Sequence, residues 1–164
     1  MSDVEIRAPR RDEFGAVGEL TVAAYRDDGY LGVEPRYEAD LRDVEGRAAH
    51  SELLVAVDGA GALLGSVVIV HPDTELAEVS RTGELEFRML AVASAARGRG
   101  IGEALTRAVV ERARELGRTR VVLSSQAGMK AAHRLYDRIG FTRLPERDWQ
   151  PLPHVTLVAY GLTL

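Results

Sequence analysis

Polar and apolar positions alternate through Val4-Glu5-Ile6-Arg7, the two-residue period of a half-buried strand. Phe14, Val17, Thr21 and Tyr25 then recur at helical spacing and predict a first helix. Asp27-Asp28-Gly29-Tyr30-Leu31-Gly32 is a turn-rich break, and Tyr37 to Glu45 predicts a short second helix. The apolar runs Leu53–Val57 and Leu63–Val70 predict two strands, and Asp58-Gly59 opens the tight connection that makes them a hairpin. His71 to Gly83 is a polar loop. Leu85–Val92 predicts a strand and Ala96–Gly102 a glycine-rich turn. Ile101, Leu105, Val109 and Leu116 form one face of a strong helix, with Gly117 at its end. Arg120–Ser124 reads as a buried strand and Lys130–Ile139 as a helix closed by Gly140. Phe141 begins a strand, Leu144–Pro153 is a proline-bearing excursion, and Thr156–Leu162 is a last, exposed strand that can pair across a homodimer. Strand runs early and strand–helix units late predict an α/β, α+β-sandwich fold in a single domain over residues 1–164. Its mixed, mostly antiparallel sheet has about seven strands, flanked by about four helices.

Composition narrows the classes. A chain of 164 residues buries enough surface to fold without disulfides or a structural metal. Hydrophobic residues make up 46% and charged residues 28%, which argues against disorder. There is no cysteine, which excludes disulfides, thiolate zinc sites and cysteine-linked intermediates, and is compatible with a reducing cytoplasm. The start Met1-Ser2-Asp3-Val4-Glu5 has no cationic and apolar run, so no signal peptide is expected. The longest apolar stretch, Ala62 to Val70, is too short for a membrane span, and a cytoplasmic location with no membrane partner is expected. Net charge is −4, unevenly spread: residues 1–82 carry 17 acids against 8 bases, residues 83–164 carry 8 acids against 13 bases. That split suits two ligands of opposite sign, or simply a solvated, arginine-rich surface. The basic residues are scattered without interleaved aromatics, so no nucleic-acid partner is expected. His50, His71, His133 and His154 are dispersed without a ligand spacing, so no metal is expected; His133 reads as solvated.

The most chemical segment is Arg97-Gly98-Arg99-Gly100-Ile101-Gly102, between a strand and a helix. Glycines let backbone approach a ligand closely, and the N–H groups of a helix start favour an anion. Two guanidinium groups suit phosphate oxygens. The segment is therefore a phosphate cradle or, more plainly, a tight turn. No Gly-Lys followed by Ser or Thr exists for a Walker loop. The glycine spacing and the acid-free strand end Leu123-Ser124-Ser125-Gln126 disfavour a dinucleotide-dependent oxidoreductase.

Arg97-x-x-Gly100-x-Gly102 after Met89-Leu90-Ala91-Val92 resembles the acyl-CoA signature of the GNAT superfamily of N-acetyltransferases. Ala132-His133-Arg134-Leu135-Tyr136-Asp137-Arg138-Ile139-Gly140-Phe141 is similar to that family's Ala-x-x-Leu-Tyr-x-x-x-Gly-Phe helix. The resemblance implies the GNAT fold, splayed between its fourth and fifth strands, here Leu85–Val92 and Arg120–Ser124, with acetyl-CoA in the gap. It implies pantetheine pairing along Leu90, Ala91 and Val92, and a pyrophosphate held by Arg97, Gly98, Arg99, Gly100, Ile101 and Gly102. Met129 departs from the pattern, since the family often carries Asn there, with Ser124 and Ser125 as possible substitutes.

The implied reaction is transfer of an acetyl group from acetyl-CoA directly to a primary amine of a small molecule or peptide. A neutral amine must attack the thioester, so a base helps, and an acid helps the departing thiolate. Glu86 lies 11 positions before Arg97, where some family members carry a catalytic glutamate. Glu86 is thus the base, or else it forms an ion pair with Arg88 on a solvated sheet face; Glu84 reads as a strand-end surface residue. Tyr136, beside the apolar positions Ala132, Leu135 and Ile139, is the implied proton donor to the leaving thiolate, or a half-buried packing residue. Trp149 is an acceptor-stacking wall or a core or interface residue, and Tyr25, Tyr30, Asp27, Asp28 and Glu34, where the family shapes acceptor choice, bind a cation or form a solvated acidic loop. The rival within the same fold is a noncatalytic acyl-CoA sensor or interaction module.

Overall fold

The structure, a computed structural model, describes residues 3–29 and 35–164. Tyr30 and Glu34, together with the end of the turn-rich break, lie outside the described residues. The strands are β1 (Glu5–Arg7), β2 (Glu52–Val57), β3 (Leu63–Val70), β4 (Glu84–Val92), β5 (Arg120–Gln126), β6 (Thr142–Arg143), β7 (Trp149–Leu152) and β8 (Val155–Thr163). The helices are α1 (Phe14–Asp27), α2 (Pro35–Arg42), α3 (Val44–Ala48), α4 (Ile101–Glu115) and α5 (Lys130–Ile139). The sheet order is β1-β2-β3-β4-β5-β8-β6, with β7 also pairing β8. It is mixed and mostly antiparallel, with β4 and β5 parallel. The chain divides into two compact units. One holds the described residues through Ile69 together with Met89–Ala108; the other holds Val70–Arg88 and Val109–Leu164.

In the first unit, β1, β2 and β3 form an antiparallel meander in which Glu5 faces Val57 and Glu52 faces Ile69. Asp58 explains the hairpin: its Oδ1 accepts the N–H groups of Ala60 and Ala62, each at 2.9 Å. Val17 from α1, Val44 from α3, and Val55 and Val57 from β2 form a buried core, flanked by Phe14, Leu53 and Leu63. Each such side chain contributes about 1.5–3 kcal/mol when fully buried. The helix expected over Tyr37–Glu45 is instead two, because Asp43 caps α3 by accepting the Gly46 N–H at 3.0 Å.

In the second unit, β5 and β8 pair over seven residues, from Arg120↔Thr163 to Gln126↔Leu157. β6 and β7 take the other edge of β8. The last strand is therefore interior, not exposed, and the expected pairing of this strand across a homodimer has no open edge to use. A cluster of aromatic rings fills the core: Phe87, Phe141 and Tyr160 lie 5.9, 5.8 and 5.8 Å from the Tyr136 ring. Glu84 is buried too, contrary to its expected surface position. It holds Arg147 through two hydrogen bonds of 2.6 and 2.9 Å, with side-chain exposures of 8% and 6%.

Candidate active site

β4 carries the site, and its pairing explains why. It runs parallel to β5 for three residues only, Glu84↔Arg120, Leu85↔Val121 and Glu86↔Val122. Both strands continue beyond that point, β4 to Val92 and β5 to Gln126. Met89 has φ +57, in the left-handed region. A non-glycine residue held there inside a strand is strained by about 1–3 kcal/mol, and strain of this kind collects at functional positions. Leu90 and Val92 are half-buried and Ala91 is buried.

After β4, Ser94–Ala96 make one turn of 3₁₀ helix. Gly98 and Gly100 then adopt φ +80 and +75, a path that L side chains rarely follow, and open space surrounds the position of a Cβ on either. α4 begins at Ile101, and its first intrahelical bond runs from Ala104 N–H to Gly100 C=O at 3.0 Å. The preceding N–H groups have no acceptor within the helix, so a 15-residue helix directs its positive end at an exposed turn. Ile101 itself is buried and anchors that turn. Arg97 donates two hydrogen bonds to Asp28 at the end of α1, 2.6 and 3.0 Å, and Arg99 lies 3.8 Å from Asp3. The turn fits a pyrophosphate: it offers backbone donors, bare glycines and two guanidinium groups.

Glu86 lies where the two strands begin to part. It is 0% exposed. Its carboxylate accepts N–H groups from Glu78 (3.0 and 3.2 Å), Val79 (3.2 Å) and Ser80 (3.0 Å) in the loop between β3 and β4. The alternative of an ion pair with Arg88 on a solvated face is corrected. Arg88 Nε lies 3.2 Å from Glu78, its Nη1 donates to Leu76 C=O, and Glu86 is fully enclosed. Ser124 on β5 donates to Glu78 Oε1 at 3.2 Å. Burial raises the Glu78 carboxyl above its ordinary value against the pull of Arg88, and the charge of Glu86 adds to the rise. Sequence periodicity had no means of finding Glu78, which sits in an aperiodic polar loop.

Phe87, next to Glu86, points to the opposite face of β4 and packs on Tyr136 of α5. Tyr136 is buried rather than half-buried, and burial pushes its phenol above the ordinary value of 10. His133 is likewise buried, not solvated: its Nε2 lies 3.2 Å from Ser125 Oγ, and its ring is 5.3 Å from that of Tyr160. The buried face of α5 is thus His133 and Tyr136, while Ala132, Leu135 and Ile139 are half-buried. Ser125 also donates to the Met129 sulfur at 3.5 Å. Trp149, 37% exposed on β7, is not a core residue. Among the described residues no three His, Asp or Glu side chains gather as a metal-ligand set.

A model of the acetyltransferase (GNAT) family matches residues 17–141, more than half of the chain. The chain belongs to the GNAT acetyltransferase family. It is 34% identical over 136 residues to a mycothiol acetyltransferase of Pseudarthrobacter chlorophenolicus, covering 80% of this chain and 39% of that one. It is 42% identical over 72 residues to an N-acetylaspartate synthetase of Danio rerio, covering 44% of this chain and 26% of that one. The chain therefore spans about a quarter to two-fifths of the length of these curated relatives. Among solved structures, an acetyltransferase of the GNAT family from Staphylococcus aureus Mu50 superposes with a TM-score of 0.78 at 15% identity, covering 98% of this chain and 99% of that chain. A GCN5-related N-acetyltransferase from Kribbella flavida gives 0.73 at 23% identity, covering 99% and 98%. The GNAT fold expected from the two motifs is the fold observed.

No helix among the described residues is long and apolar enough to cross a membrane. In the first unit a glycine-rich helix start follows the end of β4; in the second, the Glu78 and Glu86 carboxylates and the Tyr136 ring lie on opposite faces of the start of β4.

Proposed function

We propose that this chain transfers an acetyl group from acetyl-CoA to a primary amine of a small molecule or peptide, directly and without a covalent enzyme intermediate. The observation that carries the reading is the exposed turn Arg97–Gly102, with its two left-handed glycines at the start of α4. Its backbone N–H groups, with Arg97 and Arg99, hold the pyrophosphate. Leu90, Ala91 and Val92 offer strand-like backbone to the pantetheine amides, and Gly98, Gly100, Ile101 and Gly102 shape the turn. Acetyl-CoA supplies an acetyl thioester with an electrophilic carbonyl carbon. Removal of the ammonium proton falls to the carboxylate site that Glu86 organises where β4 and β5 part. Tyr136 stays protonated at neutral pH because burial raises its phenol, and it is the proton donor for the leaving thiolate in this reading. The names of the relatives, mycothiol acetyltransferase and N-acetylaspartate synthetase, support a small-molecule acceptor. The reading places the enzyme in the cytoplasm, acting as one acetyltransferase domain without metal.

Calorimetry of acetyl-CoA against wild type, Gly100→Ala and Gly100→Glu tests it. Both substitutions strain the same left-handed residue, and only the second brings a charge. Gly100→Ala is expected to weaken binding modestly and Gly100→Glu to abolish it. Equal affinity in all three soluble proteins removes the phosphate from this turn.

A further inference from the structure

Two glutamates meet at the divergence of β4 and β5, and the structure gives them different work. Glu86 is wholly enclosed, and its oxygens already hold three backbone N–H groups. A carboxylate so enclosed has no path to an acceptor amine. What it does is fasten residues 78–80 across the strand. The side chain fixed by that anchor is Glu78, whose Oε1 takes the Ser124 hydroxyl and lies against Arg88 Nε, both at 3.2 Å. Among the described residues no hydrogen bond is made to Glu78 Oε2. The side chain keeps 19% of its surface open to solvent. Ser124 lies two residues past Val122, the last β5 residue paired with β4, so the Glu78 carboxylate sits over the point where the strands open.

We propose that Glu78 is the general base that deprotonates the acceptor amine, and that Glu86 is the positioning residue that fixes it through the N–H groups of residues 78–80. This rests on the acetyl-transfer reading given above. The ammonium of the acceptor gives one proton to Glu78 Oε2, and Glu78 releases it to solvent. The freed nitrogen lone pair forms a C–N bond to the acetyl carbon, and the C–S bond breaks. The second nitrogen proton replaces the one that Tyr136 passes to the departing sulfur, leaving an amide, a free thiol and one proton in solution. Base and acid stand on opposite faces of β4, set by the alternation of Glu86 and Phe87. The groups that face Glu78 are Arg88, Glu86 and Ser124, and their balance holds its carboxyl above the ordinary carboxylate value. The base therefore becomes competent at a higher pH than a free glutamate, toward the neutral range where a base works best.

The test uses wild type, Glu78→Gln and Ser124→Ala with acetyl-CoA and a panel of L-aspartate, glycinamide, histamine and a lysine peptide, plus methoxyamine, which is already neutral at assay pH. Glu78→Gln is expected to lower kcat/KM for the best primary amine by about 10²–10⁴-fold. Acetyl-CoA affinity should be unchanged and the loss for methoxyamine much smaller. Ser124→Ala, a small change that removes one donor to the carboxylate, is expected to move the acidic limb of the rate profile to higher pH. Equal losses of both amine types in Glu78→Gln, or an unmoved limb in Ser124→Ala, overturn the assignment while acetyl transfer by wild type stands. A wild type that binds no acetyl-CoA and releases no thiol overturns the functional reading itself.

Discussion

Glu86 is a buried charge made tolerable by three backbone donors, and that fixes what its loss does. Glu86→Ala leaves the N–H groups of Glu78, Val79 and Ser80 without their acceptor, and unsatisfied buried donors are expensive. Urea unfolding is expected to show a loss of at least about 2 kcal/mol. A loss near zero means that the loop does not depend on this anchor. Tyr136→Phe keeps the ring that packs on Phe87, Phe141 and Tyr160 and removes only the proton. Its expected outcome is a lower kcat with unchanged acetyl-CoA affinity and unfolding midpoint; lost stability with full kcat makes it a packing residue alone. Glu84 and Arg147 form a buried pair, so Arg147→Met leaves Glu84 only Arg120 at 3.6 Å and the Arg81 N–H, and is expected to cost up to about 3 kcal/mol in the same assay. Glu86 and Tyr136 stand out in the sequence because one interrupts an apolar strand and the other lies in a spaced motif, but neither position reveals how deeply its side chain is buried. Glu78 and the Glu84–Arg147 pair do not stand out, since a loop has no period and a partner 63 residues away leaves no local trace.

Elements that announce themselves by period were read to within a few residues: α1, the β2–β3 hairpin, β4, α4 and α5. The differences come from single residues that act locally. Asp43 splits one expected helix into α2 and α3 by capping the second. Gln150 and Pro151 break the apolar alternation of β7, which pairs β8 with an irregular register. Six of the nine β8 positions are exposed or half-buried, yet hydrogen bonds on both edges make the strand interior. Gly65 shows how tightly the cradle is seated. A Cβ there meets the Ala91 carbonyl at 2.8 Å, Ile101 Cγ2 at 2.9 Å and Leu105 Cδ1 at 3.0 Å. β3 thus touches both the strand and the helix start that flank the turn. Gly65→Ala is expected to destabilise by about 1–3 kcal/mol and to weaken acetyl-CoA binding with it, read by thermal melting and calorimetry. Unchanged affinity in a destabilised variant separates the turn from its support.

Some ion pairs join the acidic and basic halves of the chain. Arg97 and Arg99 from the basic half meet Asp28 and Asp3 from the acidic half. Pairing of this kind also sets the response to acid. Hydrogen bonds from Arg7 hold the Glu13 carboxyl at about 2, against an ordinary 4.5. Burial raises Glu84, but the hydrogen bonds from Arg147 and Arg81 and the charges of Arg147 and Arg120 leave it below its ordinary value. A carboxyl depressed in the folded state stabilises above its unfolded pKa and loses that contribution as pH falls through the folded one. Through Glu13 and Glu84, stability is thus expected to fall from about pH 4.5 toward 2, and Glu13→Gln should flatten the lower part of that fall in urea titrations. A Glu13→Gln curve parallel to wild type denies Glu13 this part. Acetyl transfer to an amine is the central claim. The measurement that tests it most directly is release of free thiol from acetyl-CoA by the wild-type protein over the amine panel, with the acetylated amine followed by mass spectrometry. The expected result is thiol and acetylated amine formed in equal amounts with at least one primary amine. Tight acetyl-CoA binding with no thiol released by any amine contradicts it and makes the chain an acyl-CoA-binding module.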